Sequence, residues 1–179
     1  MSDTKRTAIF AVVLGLLTAV AVPASGQTVT DLSDGRRGHI VFESETPSGP
    51  TEFLAGGAPS SIIDGDLVFP DHIDNASEAR VPAMVISHGS GGILADRELV
   101  WAERLRKQGV ATFLVDSFAP RGIASTGADQ SRLPLAASIA DALHALRLLS
   151  THPRIDPTRI GIIGFSKGGQ VALYTALEP

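Results

Sequence analysis

Ser166 stands between glycines in Gly164-Phe165-Ser166-Lys167-Gly168, directly after the apolar run "RIGII" and directly before "GQVALYTAL". The spacing is G-x-S-x-G. A hydroxyl so placed attacks a carbonyl carbon when the chain turns sharply from a strand into a helix. The turn strains the serine backbone and pushes its Oγ out at the C-terminal edge of a sheet. Side chains at 164 and 168 would collide in that turn, and glycine removes the collision. The helix start behind the serine carries free N–H groups and a partial positive charge, so the Lys167 N–H is placed to donate to an oxyanion. The competing reading is an ordinary glycine-rich turn between a strand and a helix.

A second stretch, "HGSGG" from His88 to Gly92, follows another apolar run. It resembles the HGGG-type oxyanion loop of esterases. Small residues there let a backbone N–H approach a carbonyl oxygen closely. The donor is expected from Ser90 or else Gly91, with His88 bracing the loop by hydrogen bonds and Gly89 and Gly91 keeping it narrow. A phosphate-binding or merely structural turn is the alternative. Two rival glycine motifs fit less well. A P-loop needs Gly-Lys-Ser/Thr, but Gly168 follows Lys167. A dinucleotide fingerprint has Gly89-Ser90-Gly91 and Asp116 in its favour, but Leu94 occupies its third glycine position.

Elements of the right kind surround both stretches. "GHIVFES" (38–44) and "SIIDGDLVFP" (61–70) read as strands, the second with a break at Asp64-Gly65. The breaker-rich stretch between them and residues 27–37 read as irregular. "PAMVIS" (82–87), "VATFLVD" (110–116) and "RIGIIGF" (159–165) are continuous apolar runs, as in strands buried on both faces. Helices fall between them. Val100 or Trp101 with Leu105 makes one stripe, ended by Gly109; Leu135, Ile139, Leu143 and Leu146 make the next, ended at His152-Pro153. This alternation predicts an α/β fold with a parallel sheet, extended by an antiparallel edge. Asp116, Arg121 and Asp129 read as solvated loop residues beside the site's mouth, Asp141 and His144 as solvent-facing, Asp156 as a turn former, and the Lys167 side chain as a solvated charge at the rim.

The bulk properties narrow the function. The chain has 179 residues and a net charge of −4, with no cysteine. That gives no basic footprint for nucleic acid. It also excludes disulfides and thiolate chemistry. His, Asp and Glu do not fall at metal-ligand spacings, so no metal site is expected. Lys5 and Arg6, the apolar run Ala8–Val22, Pro23, and the small residues Ala24 and Gly26 make the three-part pattern of a secretory leader cut before Gln27. The run is short of the ~20 residues that span a bilayer. Residues 1–26 are therefore expected to be removed, and the mature protein to be secreted or periplasmic without stable membrane insertion.

Taken together, these stretches resemble the dienelactone hydrolase family of α/β-hydrolases. The resemblance rests on "PAMVISHGSGG", "WAERLRKQGVATFLVDSFAPRG" and "RIDPTRIGIIGFSKGG" and their spacing. It covers Pro82 to Leu177 well and the two early strands loosely. It implies an α/β-hydrolase fold and hydrolysis of a small-molecule ester or lactone through an acyl-enzyme, with no cofactor or metal. Ser166 takes the nucleophile's position, and Ser90 and Lys167 those of the oxyanion donors. Two departures matter. The family's namesakes use a cysteine nucleophile, so a serine points to a broader carboxylesterase. The triad order of this fold is Ser, then Asp or Glu, then His. All five histidines here (His39, His72, His88, His144 and His152) precede Ser166, and only Glu178 follows it as an acid. The expectation is that residues 27–179 are the N-terminal part of such a domain, with the sheet incomplete at its C-terminal end and this stretch inactive alone. A peptidase or acyltransferase, a non-catalytic binding module on the same fold and, less favoured, a dinucleotide-binding oxidoreductase are the alternatives.

Overall fold

The computed structural model describes residues 27–71 and 79–177. The expected leader, His72 and Glu178 lie outside them. In chain order the elements are β1 (Gly38–Glu45), α1 (Pro50–Ala55), β2 (Ser60–Val68), β3 (Val81–Ser87), α2 (Val100–Lys107), β4 (Ala111–Asp116), α3 (Leu135–Ser150), β5 (Ile155–Gly164) and α4 (Lys167–Thr175). A single wide turn of π-helix, Ala95–Leu99, leads into α2. The strands form one open sheet in the order β1-β2-β4-β3-β5. β3 pairs in parallel with both β4 and β5, while β2 runs antiparallel to β4 and to β1.

Period-two alternation divides the buried strands between two layers. Ala83 and Val85 of β3 and Phe113 and Val115 of β4 join the larger core, which Ala145, Leu148 and Leu149 of α3 cover. Ile86 and Leu114 point the other way and pack with Ala102 and Leu105 of α2. Both faces of β3 and β4 are thus covered, which is why these strands read as unbroken apolar runs. Burial of the Phe113 side chain alone is worth about 2–3 kcal/mol.

Several expectations need correction. β2 is continuous. Gly65 pairs with both Ile40 and Val115, and a Cβ there would meet the Leu114 oxygen at 2.7 Å and the Phe113 ring at 2.8 Å. The glycine marks a close approach rather than a break. The stretch after β1 folds into the short helix α1, with Pro50 in its first turn. Residues before β1 are irregular but packed, with Leu32 fully buried. On α3 the expected leucine stripe is only half-buried. The most buried residues of α3 are Ala137, Asp141, Ala142, Ala145 and Leu149, and the small side chains among them let the helix lie close to the sheet. On α2, Trp101 is half-exposed and Ala102 is the buried residue.

Chain order explains where a site falls. From β3 the chain goes by α2 to β4 on one side, and from β4 by α3 to β5 on the other. Such a reversal opens a crevice at the carboxyl ends of the strands. The register sets Ser87 opposite Gly164, so residues 88–92 and 165–168 leave the sheet side by side.

Candidate active site

Ser166 has φ 53° and ψ −116° and is the only non-glycine with positive φ among the described residues. A residue held in this conformation stores roughly 1–3 kcal/mol of strain. The neighbouring glycines are required by contact. A Cβ at Gly164 would lie 1.9 Å from the Gly168 carbonyl oxygen, and one at Gly168 would lie 2.2 Å from the Ser87 oxygen. Backbone meets backbone at both places, so no side chain can move aside. Gly168→Ala should therefore force the end of β3 away from α4. Its expected outcome is a lowered unfolding midpoint together with loss of any reactivity at Ser166, checked by thermal melting and by labelling with a serine-directed phosphonate.

Ser166 begins α4. Its carbonyl accepts from the N–H groups of Gly169 (2.9 Å) and Gln170 (3.3 Å), and Phe165 O accepts from Gly168 N–H (2.9 Å). The Lys167 N–H has no acceptor among the described residues. The same holds for the Ser90 N–H. Its direction is fixed by the peptide that carries it. The Gly89 carbonyl accepts from Gly92 N–H (3.0 Å) and from His88 Nδ1 (2.8 Å). In a trans peptide the C=O and the following N–H point opposite ways, so fixing Gly89 O aims Ser90 N–H. His88 braces the loop as expected. Its ring is buried, and Nε2 accepts from Ser117 N–H (3.2 Å), which puts the proton on Nδ1. Gly89 passes close to the serine: a Cβ there would be 3.4 Å from Ser166 Cβ.

Ser90, Gln130, Leu135, Ser166, Lys167 and Gln170 line a cleft of about 290 Å³. Ser90 is on its wall and Gly91 is not. The loop after β4 supplies the far side. Gln130 hydrogen-bonds the Ser90 hydroxyl (3.0 and 3.1 Å), and Thr126 N–H and Ser125 Oγ donate to the Ser90 carbonyl at 2.8 and 2.9 Å.

The expected solvated charge at the rim is not one. Lys167 is only 8% exposed, and its Nζ donates to the Leu133 carbonyl. Burial holds its pKa below the usual lysine value. The lysine ties the elbow to the loop after β4. Asp141 and Arg121 also depart from their expected exposure. Asp141 is buried and takes a two-pronged hydrogen bond from Arg121. Asp116 and Asp129 remain at loop turns, where they accept from Phe118 N–H and Ser131 N–H respectively. Asp156 shapes the early part of β5. Hydrogen bonds from Thr158 and Arg159 hold it at about 2, the Thr158 hydroxyl contributing most.

Glu98 and Gln130 carry no signal in the sequence, because each is defined by a partner from another segment. Glu98 is fully buried under the loop of residues 88–92, where it receives Gly89 N–H and Leu94 N–H. No described histidine lines the cleft. His39 sits at the surface between Asp64 and Asp66, His144 is half-buried on α3, and His152 packs against Phe69.

Comparison with known proteins places the chain among hydrolases. Over 103 residues the chain is 34% identical to the thiohydrolase aneE of Aspergillus aculeatus, a match covering 55% of this chain and 30% of that protein. Over 38 residues it is 50% identical to the uncharacterized peptidase YtmA of Bacillus subtilis, covering 21% of this chain and 15% of that protein. The chain thus spans less than a third of the length of either relative. Among solved structures, an esterase from Thermogutta terrifontis with propionate bound superposes with a TM-score of 0.51 at 21% identity, over 65% of this chain and 41% of that one. This last likeness shows a shared α/β-hydrolase fold. Residues 70–179, which hold both glycine-bearing loops and the cleft between them, match the profile of the Dienelactone hydrolase family, and the chain belongs to that family.

Proposed function

We propose that the protein is a secreted serine hydrolase that cleaves carboxylic esters or lactones through an acyl-enzyme. One observation carries the reading: a positive-φ serine at the start of a helix stands beside a loop whose Ser90 N–H has no acceptor among the described residues. In the reaction Ser166 Oγ attacks the carbonyl carbon and its proton passes to a general base. The carbonyl oxygen becomes an oxyanion held by the N–H groups of Ser90 and Lys167. Collapse of the tetrahedral intermediate expels the alkoxide, which takes the proton back. Water then repeats the sequence on the acyl-enzyme and releases the acid. The likeness to a thiohydrolase adds thioesters to the substrates worth testing.

His88 does not suit the base. One ring nitrogen is occupied by Gly89 O and the other by Ser117 N–H. The general base and the acid that orients it are taken to lie outside the described residues. Lys167 holds the elbow through its side chain and the oxyanion through its backbone. A fluorophosphonate should label the complete enzyme at Ser166, as read by peptide mass mapping. Labelling elsewhere, or none in an enzyme that hydrolyses p-nitrophenyl esters, would overturn the reading.

Export is proposed on the leader-like pattern of residues 1–26. Mature protein recovered from the medium or periplasm should begin near Gln27 by intact mass. A species starting at Met1 would mean that the leader is retained. No helix among the described residues is long and apolar enough to cross a membrane.

A further inference from the structure

We infer that Glu98, with Arg97, is a positioning residue that sets the distance and orientation of the oxyanion loop relative to the serine elbow. The inference rests on the reading of Ser166 and Ser90 given above. Nothing in that mechanism uses a buried carboxylate, yet Glu98 is 0% exposed. Burying an ionised group is costly unless its oxygens are filled, so a buried charge in a loop calls for a reason.

Its contacts supply one. Glu98 Oε1 accepts from Arg97 Nη2 (2.7 Å), Arg97 Nε (2.9 Å) and the Gly89 N–H (3.3 Å). Oε2 accepts from the Leu94 N–H (2.9 Å). The carboxylate therefore grips the loop at both ends, at Gly89 and at Leu94. Burial raises the Glu98 pKa, but the hydrogen bonds from Arg97 and Leu94 N–H outweigh it, and the group is held below the usual carboxylate range. It is ionised wherever an esterase would work.

Arg97 extends the grip to the other half of the site. Its guanidinium lies over the Phe165 ring, 5.6 Å from the centroid, and Phe165 is the residue before Ser166. It also fills the space beside Gly89, where a Cβ would meet Nη2 at 2.9 Å. The pair thus touches the residue before the proposed oxyanion donor and the residue before the proposed nucleophile. With Gly89 N–H held by Glu98, and Gly89 O held by His88 and Gly92, the whole Gly89 unit is fixed, and Ser90 N–H is aimed with it. The single π-helical turn at Ala95–Leu99 is what brings Glu98 under the loop.

Glu98→Gln in the complete enzyme tests this. An amide has one oxygen, so its NH2 must face either Leu94 N–H or the Arg97 and Gly89 donors. Deleting an oxyanion donor lowers kcat about 10²–10³-fold. Misaiming one should cost less, and the expected result is a kcat about 10- to 100-fold lower with KM within about threefold. Phosphonylation of Ser166 should slow in parallel. Glu98→Asp, which keeps the charge, should recover part of the loss. If Glu98→Gln does not fold, Arg97→Gln decides, since Arg97 is partly exposed; the expected change is in the same direction and smaller. An unchanged kcat, or a raised KM at constant kcat, in whichever variant folds would overturn the inference. A Ser166→Ala control separates the two readings. Activity surviving in that control sinks the nucleophile assignment. Activity lost there but unaltered in Glu98→Gln sinks the positioning role alone.

Discussion

Ser166→Ala is expected to lower ester turnover by roughly 10⁴- to 10⁶-fold, to the residual level left by binding and the proposed oxyanion donors. The fold survives. Ser166 Oγ makes no hydrogen bond among the described residues, so alanine gives up no folded-state partner. Alanine also keeps the strained backbone at φ 53°. Ser166→Gly should be equally inactive but more stable, because glycine adopts that conformation without the Cβ clash. The order of unfolding midpoints, Gly above Ala and Ala near Ser, separates strain from chemistry. It also shows that the serine is held at a cost to stability, as expected where function and stability compete. Burst-phase acylation by p-nitrophenyl acetate and urea unfolding measure the two halves. Wild-type burst amplitude in either variant, or a glycine variant no more stable than alanine, would contradict the assignment.

What could be read from the sequence follows a physical pattern. The strands β3, β4 and β5 were legible because burial on both faces writes itself as an unbroken apolar run. The elbow was legible because its glycines sit at fixed offsets from the serine, and the structure gives each a backbone collision to avoid. His88 was legible as a brace because its sequence position puts it at a strand end. Asp141 was not. Its burial depends on Arg121 and on Ser44, far away in the chain, and helical periodicity treats an aspartate as a surface residue. The leucines of α3 misled for a related reason. Periodicity ranks residues by size and apolarity, while close packing of a helix on a sheet selects alanine. Lys167 reads as solvent-facing by type, yet it reaches Leu133 O through a loop whose path no local pattern reveals. Glu98 has the same character. Polar residues that join separate segments carry no local signal, and here they are the ones that hold the two glycine-bearing loops and the cleft wall together.

The Arg121–Asp141 pair gives the largest stability effect expected outside the elbow. Asp141→Asn should lower the free energy of unfolding by about 3–5 kcal/mol. Arg121 lies at the start of the loop that brings Gln130 to the cleft, Thr126 to Ser90 and Leu133 to Lys167. Its guanidinium uses every donor it has. Nη1 reaches Asp141 Oδ2 (2.8 Å) and Ser117 O (3.0 Å), Nη2 reaches Asp141 Oδ1 (2.9 Å) and Glu45 O (3.2 Å), and Nε reaches Thr46 Oγ1 (3.2 Å). Ser44 Oγ donates to Asp141 as well. The pair therefore sews the end of β1, the loop after β4 and the middle of α3 into one unit. Neutralising Asp141 leaves a cation surrounded by carbonyl oxygens with no counter-charge, which is the costly way to break a buried pair. Replacing both partners, as in Arg121→Met with Asp141→Leu, removes the charge problem and should recover much of the loss. A double-mutant cycle by urea unfolding then gives a coupling of at least about 2 kcal/mol. The site should register the change too. With the loop released, Gln130 no longer steadies Ser90 and Leu133 no longer anchors Lys167, so Asp141→Asn should also slow phosphonylation of Ser166 at temperatures where the protein remains folded. If Asp141→Asn costs less than about 1 kcal/mol, or the cycle shows no coupling, the pair is not the clamp its geometry describes.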